Sequence, residues 1–202
     1  MGDFLSHITK IMHYSKKQAR EISKSRRNKL SDHIKKKASI SISETIINLD
    51  YFDCASNIGC YMSSNGEVDT WPIINEIWKR GKDLFLPKIT TNAKMNFAKT
   101  TPNDKFLNNQ YGIREPISNI NTESKFLDLV IVPLVAFDHN GNRIGMGGGY
   151  YDREFNYLKK EDSSSKPVLI GIAFDCQKFK KIEQDSWDVR LSNVFTESGC
   201  IF

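Results

Sequence analysis

Residues 143–153 read "RIGMGGGYYDR", four glycines between two arginines, closed by two tyrosines and an aspartate. Glycines let a backbone adopt positive φ and remove side chains that would block close approach. Bare N–H groups ahead of a helix form a cradle for phosphate. Arg143 and Arg153 flank the stretch and can pair with phosphate oxygens. Asp152 offers an oxygen ligand of the kind magnesium prefers alongside phosphate. Tyr150 and Tyr151 bring flat ring faces and hydroxyls. The spacing is neither GxxxxGK[ST] nor GxGxxG, so the common nucleotide-loop signatures are absent. The same residues could also form a flexible loop before a helix with its tyrosines in the core. The density of cations, acid and bare backbone favours the phosphate site.

Such a cradle needs elements to hold it. "SKKQAREISKSRR" and "DHIKKKASISISETIINL" read as two helices, with Ile34, Ala38, Ile42, Ile46 and Leu49 at near-helical spacing in the second. "NIGCYM" reads as a short buried strand, and "NGEVDT" as a turn. "TWPIINEIWKRG" is a helix capped by Asp69 or Thr70, with Pro72 in its first turn and Gly81 past its end. "KDLFLP" is a strand stopped by Pro87, "MNFAK" a short one, and the segment 100–119 is mostly loop. "LDLVIVPLVAF" is an unbroken apolar run suited to the middle of a sheet, with the glycines directly after it and a helix from Tyr150 to Lys160. "PVLIGIAF" and "SNVFTES" complete the strands. Strands alternating with helices predict a layered α/β/α domain with a mostly parallel sheet, whose ligands sit at the carboxyl ends of the strands.

The 202 residues, 39% hydrophobic and with a net charge of +5, suit one globular domain. Residues 16–37 hold ten of the 29 basic and two of the 24 acidic residues, a local +8 that leaves −3 elsewhere. A nucleic-acid module, a solvated helical face and cations that reach a phosphate-bearing ligand all fit that segment. No RNA-binding aromatic motif accompanies it. No apolar run approaches a membrane span, and the start is not a secretory signal. Met1-Gly2 with Ser6 matches a short myristoylation pattern that carries no membrane assignment alone. Cys54, Cys60, Cys176 and Cys200 form no CxxC pair, so free thiols are expected in a cytoplasmic chain.

"GNRIGMGGGYYDR" resembles the signature of the 5-formyltetrahydrofolate cyclo-ligase family, also called 5,10-methenyltetrahydrofolate synthetases. "KKQAR", "NGEVDTWPIINEIWKRGKDLFLP", "YGIREP", "LDLVIVPLVAFD" and "DSWDV" follow in the family's order. The first fourteen residues carry no matching motif and read as an extension to a single catalytic domain over 15–202. The resemblance implies a ligase of one-carbon metabolism: ATP and 5-formyltetrahydrofolate give 5,10-methenyltetrahydrofolate, ADP and phosphate. It implies ATP as co-substrate, Mg2+, and a small-molecule enzyme that acts as a monomer, with neither nucleic acid nor membrane as partner. A protein that has kept the nucleotide site and lost catalysis is disfavoured, because the arginines and the acids are all present.

Carried over by residue, Lys16 and Arg20, one helical turn apart, resemble the family's N-terminal ATP contacts. Arg143, Ile144, Gly145, Met146, Gly147, Gly148, Gly149, Tyr150 and Tyr151 resemble its ATP-binding stretch, with Met146 to Tyr150 also touching folate. The catalytic residues expected are Arg143, as charge stabiliser, and Tyr150. Asp152 and Asp188 resemble the magnesium ligands. Ser64, Glu67 and Asp69 lie where the family grips the pterin, although Asp69 could equally cap a helix. Trp71, Phe97 and Tyr111 could stack on ligand or fill core. Met146 stands where other members often carry a basic residue, which suggests a thioether packed on the ligand.

Overall fold

The structure, a computed structural model, describes residues 14–90, 94–109, 112–117, 120–160 and 166–202. Tyr111, the Met1-Gly2-Ser6 pattern and nearly all of the N-terminal extension lie outside the described residues. Ser15 opens α1 (Lys16–Asn28) with a capping box: its hydroxyl accepts from the Gln18 N–H while the Gln18 side chain accepts from the Ser15 N–H. Ser31 caps α2 (Asp32–Ile47), and α3 (Asp50–Cys54) leads into β1 (Asn57–Gly59). Then come α4 (Trp71–Lys79), β2 (Asp83–Ile89), β3 (Met95–Thr100), β4 (Phe106–Asn108), β5 (Arg114–Pro116) and β6 (Asn121–Thr122). The second half holds β7 (Leu129–Val132), β8 (Ala136–Phe137), β9 (Arg143–Ile144), α5 (Tyr150–Glu154), β10 (Val168–Ile172), β11 (Asn193–Thr196) and β12 (Gly199–Cys200).

The main sheet has the order β12-β11-β10-β7-β1-β2-β3-β6. Five consecutive strands, β11 to β2, are parallel, and the edge pairings β11–β12, β2–β3 and β3–β6 are antiparallel. The mostly parallel α/β sheet expected from the alternation is therefore present. Strand periodicity sorts the core into two faces. Leu129 and Ile131 of β7 face a cluster with Ile42, Ile46, Phe52, Ile73 and Ile77 from α2, α3 and α4. Val130 and Val132 face Phe97, Phe137 and Phe155 on the other side. Ala38, Ile42 and Ile46 are buried as their spacing predicts, whereas Ile34 is 49% exposed one turn into α2.

Several boundaries differ from the sequence reading. Pro87 does not stop β2, which runs to Ile89. Pro87 pairs with Phe97, whose N–H points with that of Lys99 toward β6, so the Pro87 nitrogen faces the other way, past the end of β1. An edge position of that kind tolerates the missing N–H. The apolar run at 127–137 is not one strand. It breaks at Pro133, and Ala136–Phe137 turns into a separate hairpin with β9. The glycines thus follow β9 and not the central strand. The segment 100–119 holds the β4–β5 hairpin where mostly loop was expected. Beyond the glycines, α5 has five residues and a 3-10 turn, Asn156–Lys160, replaces its second half.

Gly171 shows how closely the second face is packed. A Cβ there would lie 2.6 Å from both Leu134 and Leu191 methyl carbons. Gly171→Ala is therefore expected to lower stability by about 1–3 kcal/mol, read by urea denaturation. An unchanged midpoint would mean that the two leucines part freely.

Candidate active site

Strands β1 and β7 lie side by side where the sheet order reverses: the chain leaves β1 for β2 on one side and fills the other through β7, β10 and β11. Open sheets bind ligands at such a switch point, beyond the carboxyl ends of the strands. The loop after β1 (60–70), the Pro133-Leu134 break after β7 and the glycine loop all meet there.

The β8–β9 hairpin aims the glycine loop. Asp138, fully buried, accepts from the N–H groups of Asn140, Asn142 and Ile182 and from the Asn142 side-chain amide. Gly141 completes the turn at φ +77°, where a Cβ would lie 2.9 Å from the Leu191 carbonyl. The chain then delivers Arg143, 7% exposed, and the loop 145–149. The Arg143 guanidinium donates to the Val189 carbonyl and, at 2.8 Å, to Asp152. Arg20 of α1 donates to the Gly145 carbonyl at 2.8 Å, and Arg153 to the Gly148 carbonyl at 2.9 Å. Two cations thus hold loop carbonyls, while the loop's N–H groups, Gly145 to Gly149, make no hydrogen bond among the described residues. The five-residue α5 adds too short a dipole to carry anion binding, so the sequence's reliance on a helix N-terminus gives way to loop N–H groups and cations.

The loop separates two cavities. One, of about 660 Å³, has a charged lining with a small positive excess, Lys16, Arg20, Arg143 and Arg153 against Asp152, Asp185 and Asp188, with Ile144, Asn156 and Trp187 beside them. The other, of about 460 Å³, is lined by Tyr61, Met62, Ser64, Glu67, Met146 and Tyr150, among others. Arg143, Gly145, Gly148, Gly149 and Asp152 border both, with Gly147 on the cationic side and Tyr151 on the other. A cationic pocket and an apolar one with a carboxylate are one backbone apart.

Lys16 binds Asp185 at 2.6 Å and Asp188 at 2.5 Å. Burial works against its ammonium, and the two aspartates overcome that and raise its pKa. The basic segment is thus partly spent inward: Lys16 and Arg20 reach the cavity, and Arg27 is buried beneath the loop after β1. Across the loop, Glu67 accepts from the Ser64 N–H at 3.0 Å. Burial raises the Glu67 pKa, partly offset by that bond and by the Arg27 charge. Burial also pushes the Tyr61 and Tyr151 hydroxyls up, so both stay protonated donors at neutral pH.

The structure brings together Ser64 and Glu67 but not Asp69. The Asp69 carboxylate accepts from the Trp71 N–H at 3.0 Å, the helix-start role, and lies outside the cavity lining. Phe97 is fully buried core, and Trp71 packs against Trp78. Tyr61, Met62, Leu134 and Asp185 were not anticipated. The apolar residues carry no motif, though their place just after two buried strands is a usable signal.

A model of the 5-formyltetrahydrofolate cyclo-ligase family matches residues 12–197. The chain belongs to that family. It is 35% identical to the 5-formyltetrahydrofolate cyclo-ligase of Haemophilus influenzae over 158 residues, 76% of this chain and 82% of the relative. The Escherichia coli K12 cyclo-ligase is 35% identical over 71% of this chain and 79% of its own. Among solved structures, the 5,10-methenyltetrahydrofolate synthetase of Aquifex aeolicus superposes with a TM-score of 0.79 at 30% identity, covering 92% of this chain and 91% of that one. As a cyclo-ligase family member the chain is a ligase. No described helix is long and apolar enough to cross a membrane.

Because the folded state raises the Glu67 pKa, the ionised carboxylate weakens the fold. Wild-type stability should fall as pH rises from about 4 through the raised pKa, relative to Glu67→Gln. Thermal melts across that range test it, and parallel curves for the two proteins would contradict it.

Proposed function

We propose that this chain cyclises 5-formyltetrahydrofolate to 5,10-methenyltetrahydrofolate with hydrolysis of ATP to ADP and phosphate. The observation that carries the reading is the shared loop: one glycine backbone walls both a cationic cavity and an apolar one. A triphosphate in the first brings its γ-phosphate against a formyl group held in the second.

A formyl amide oxygen is a poor leaving group. In the proposed first step that oxygen attacks the γ-phosphorus, the bond from phosphorus to the bridging oxygen of ADP breaks, and ADP departs with that electron pair. In the second step N10 attacks the activated formyl carbon, the carbon–oxygen bond breaks, and phosphate leaves. The N10 proton is lost to phosphate or water, and the methenyl cation remains. Phosphoryl transfer of this kind needs positioning and charge stabilisation more than a protein nucleophile. The N–H groups of Gly145 to Gly149, Lys16 and Arg20 would hold the phosphates. Arg143, at the border of the cavities, would stabilise charge during transfer, and Tyr150 would close the folate side over the formyl group. Glu67, paired with the Ser64 N–H, would accept from the pterin amino group and ring N–H, with Met146 packed at the rim.

Magnesium fits the residues present. Asp152 and Asp188 border the cationic cavity, and oxygen donors suit this ion. When bound, it would neutralise triphosphate charge.

Purified protein with ATP, magnesium and 5-formyltetrahydrofolate should gain the near-ultraviolet absorbance of the methenyl product, and no gain would end the proposal. Arg143→Ala should lower kcat by about 10²–10³-fold. Since Arg143 is buried against Asp152, near-ultraviolet circular dichroism must first show that the variant is folded. Asp152→Asn should raise the magnesium concentration giving half-maximal rate, and an unchanged titration would remove it as a ligand.

A further inference from the structure

Four side chains of α1 point the same way. Lys16, Arg20, Ser23 and Arg27 are spaced by four, three and four residues, one stripe of a helix. Each meets a different part of the site. Lys16 binds Asp188, Arg20 binds the Gly145 carbonyl, and Ser23 donates to the Val135 carbonyl beyond the Pro133 break. Arg27 donates to the Asn65 carbonyl at 2.9 Å. From the first to the last, the stripe spans about 16 Å at 1.5 Å per residue.

The Asn65 end is unusual in two respects. Asn65 and Gly66 both have positive φ, +50° and +74°, in a turn closed by the Glu67 N–H donating to the Ser64 carbonyl at 2.9 Å. Asn-Gly suits such a turn, but a non-glycine residue at positive φ must be held there by its surroundings. Arg27 itself is 4% exposed, and its Nε finds no hydrogen-bond partner among the described residues. A buried guanidinium with an unmet N–H is not a good stabilising choice, and an apolar side chain of similar length would avoid the orphan. Its presence there calls for another role. The turn it grips carries Ser64 and Glu67 into the folate-side cavity, while Arg27 itself is not part of the lining.

We propose that Arg27 is a positioning residue for the folate substrate: by clamping the Asn65 carbonyl it fixes the Ser64–Glu67 turn at a set distance from the glycine loop that Arg20 holds. Helix α1 then acts as a ruler between the two cavities, and its far end governs folate alone. This deepens the proposed function and rests on it.

The test compares Arg27→Met and Arg27→Lys with wild type in steady-state kinetics. Arg27→Met should raise KM for 5-formyltetrahydrofolate about tenfold through misplacement of the turn, leave KM for ATP within about twofold, and melt no lower than wild type. Arg27→Lys, which keeps a charged donor, should recover part of the loss. Calorimetric binding of 5-formyltetrahydrofolate should weaken in parallel in Arg27→Met. An unchanged KM for folate, or equal losses for both substrates together with a lower melting temperature, would overturn the assignment. A wild-type chain with no turnover would instead sink the proposed function. In that event the calorimetric comparison still decides whether Arg27 serves folate binding.

Discussion

The site depends on a partition one backbone thick. In the proposed reaction a phosphoryl group and a formyl oxygen must come within bonding distance, yet their carriers, a highly charged triphosphate and a flat pterin, want opposite surroundings. A wall of side chains between the two compartments would keep the reacting atoms too far apart. Glycine backbone removes that thickness: Gly145, Gly148 and Gly149 each border both cavities. The restriction is local as well as global. At Gly149, φ is +63° and a Cβ would lie 2.9 Å from Arg153, while at Gly148 it would lie 2.7 Å from the Tyr150 ring.

A wall that thin has little rigidity of its own, so the rest of the fold holds it from outside. Asp138 tightens the hairpin before it, Arg20 and Arg153 grip its carbonyls, and Arg143 joins its entry to Asp152 on its exit. In the proposed function the cations that grip the loop are those a triphosphate would meet, so binding and support would be one arrangement. Burial of the β7 and β1 strands fixes the frame on which these groups sit. Packing on the second sheet face therefore reaches the site through Leu134, which lies against Gly171 on one side and lines the apolar cavity on the other.

Much of this was legible in the sequence for physical reasons. Buried parallel strands are near-continuous apolar runs, and glycines between arginines have few structural uses. The parts that were not legible depend on long-range contacts. The apolar run at 127–137 hides its break because Leu134 and Val135, in the connection between β7 and β8, stay buried. Pro87 reads as a stop, yet its nitrogen faces beyond a shorter neighbour. Asp69 has a carboxylate that suits both a pterin and a helix start, and its contact with the Trp71 N–H depends on the folded turn before α4. The charge of α1 fits a nucleic-acid module, a solvated face or cations that reach a ligand, and the inward stripe shows that Lys16 and Arg20 reach the cavity. A cation count cannot reveal which face of a helix meets backbone carbonyls.

The most direct measurement is a crystal structure of the chain with a non-hydrolysable ATP analogue and 5-formyltetrahydrofolate bound together. The partition predicts the triphosphate beside Lys16 and Arg20, the pterin between Tyr61 and Glu67, and the γ-phosphate and formyl group meeting at Gly145–Gly149. Both ligands on one side of the glycine loop, or a triphosphate bound away from it, would contradict the central claim.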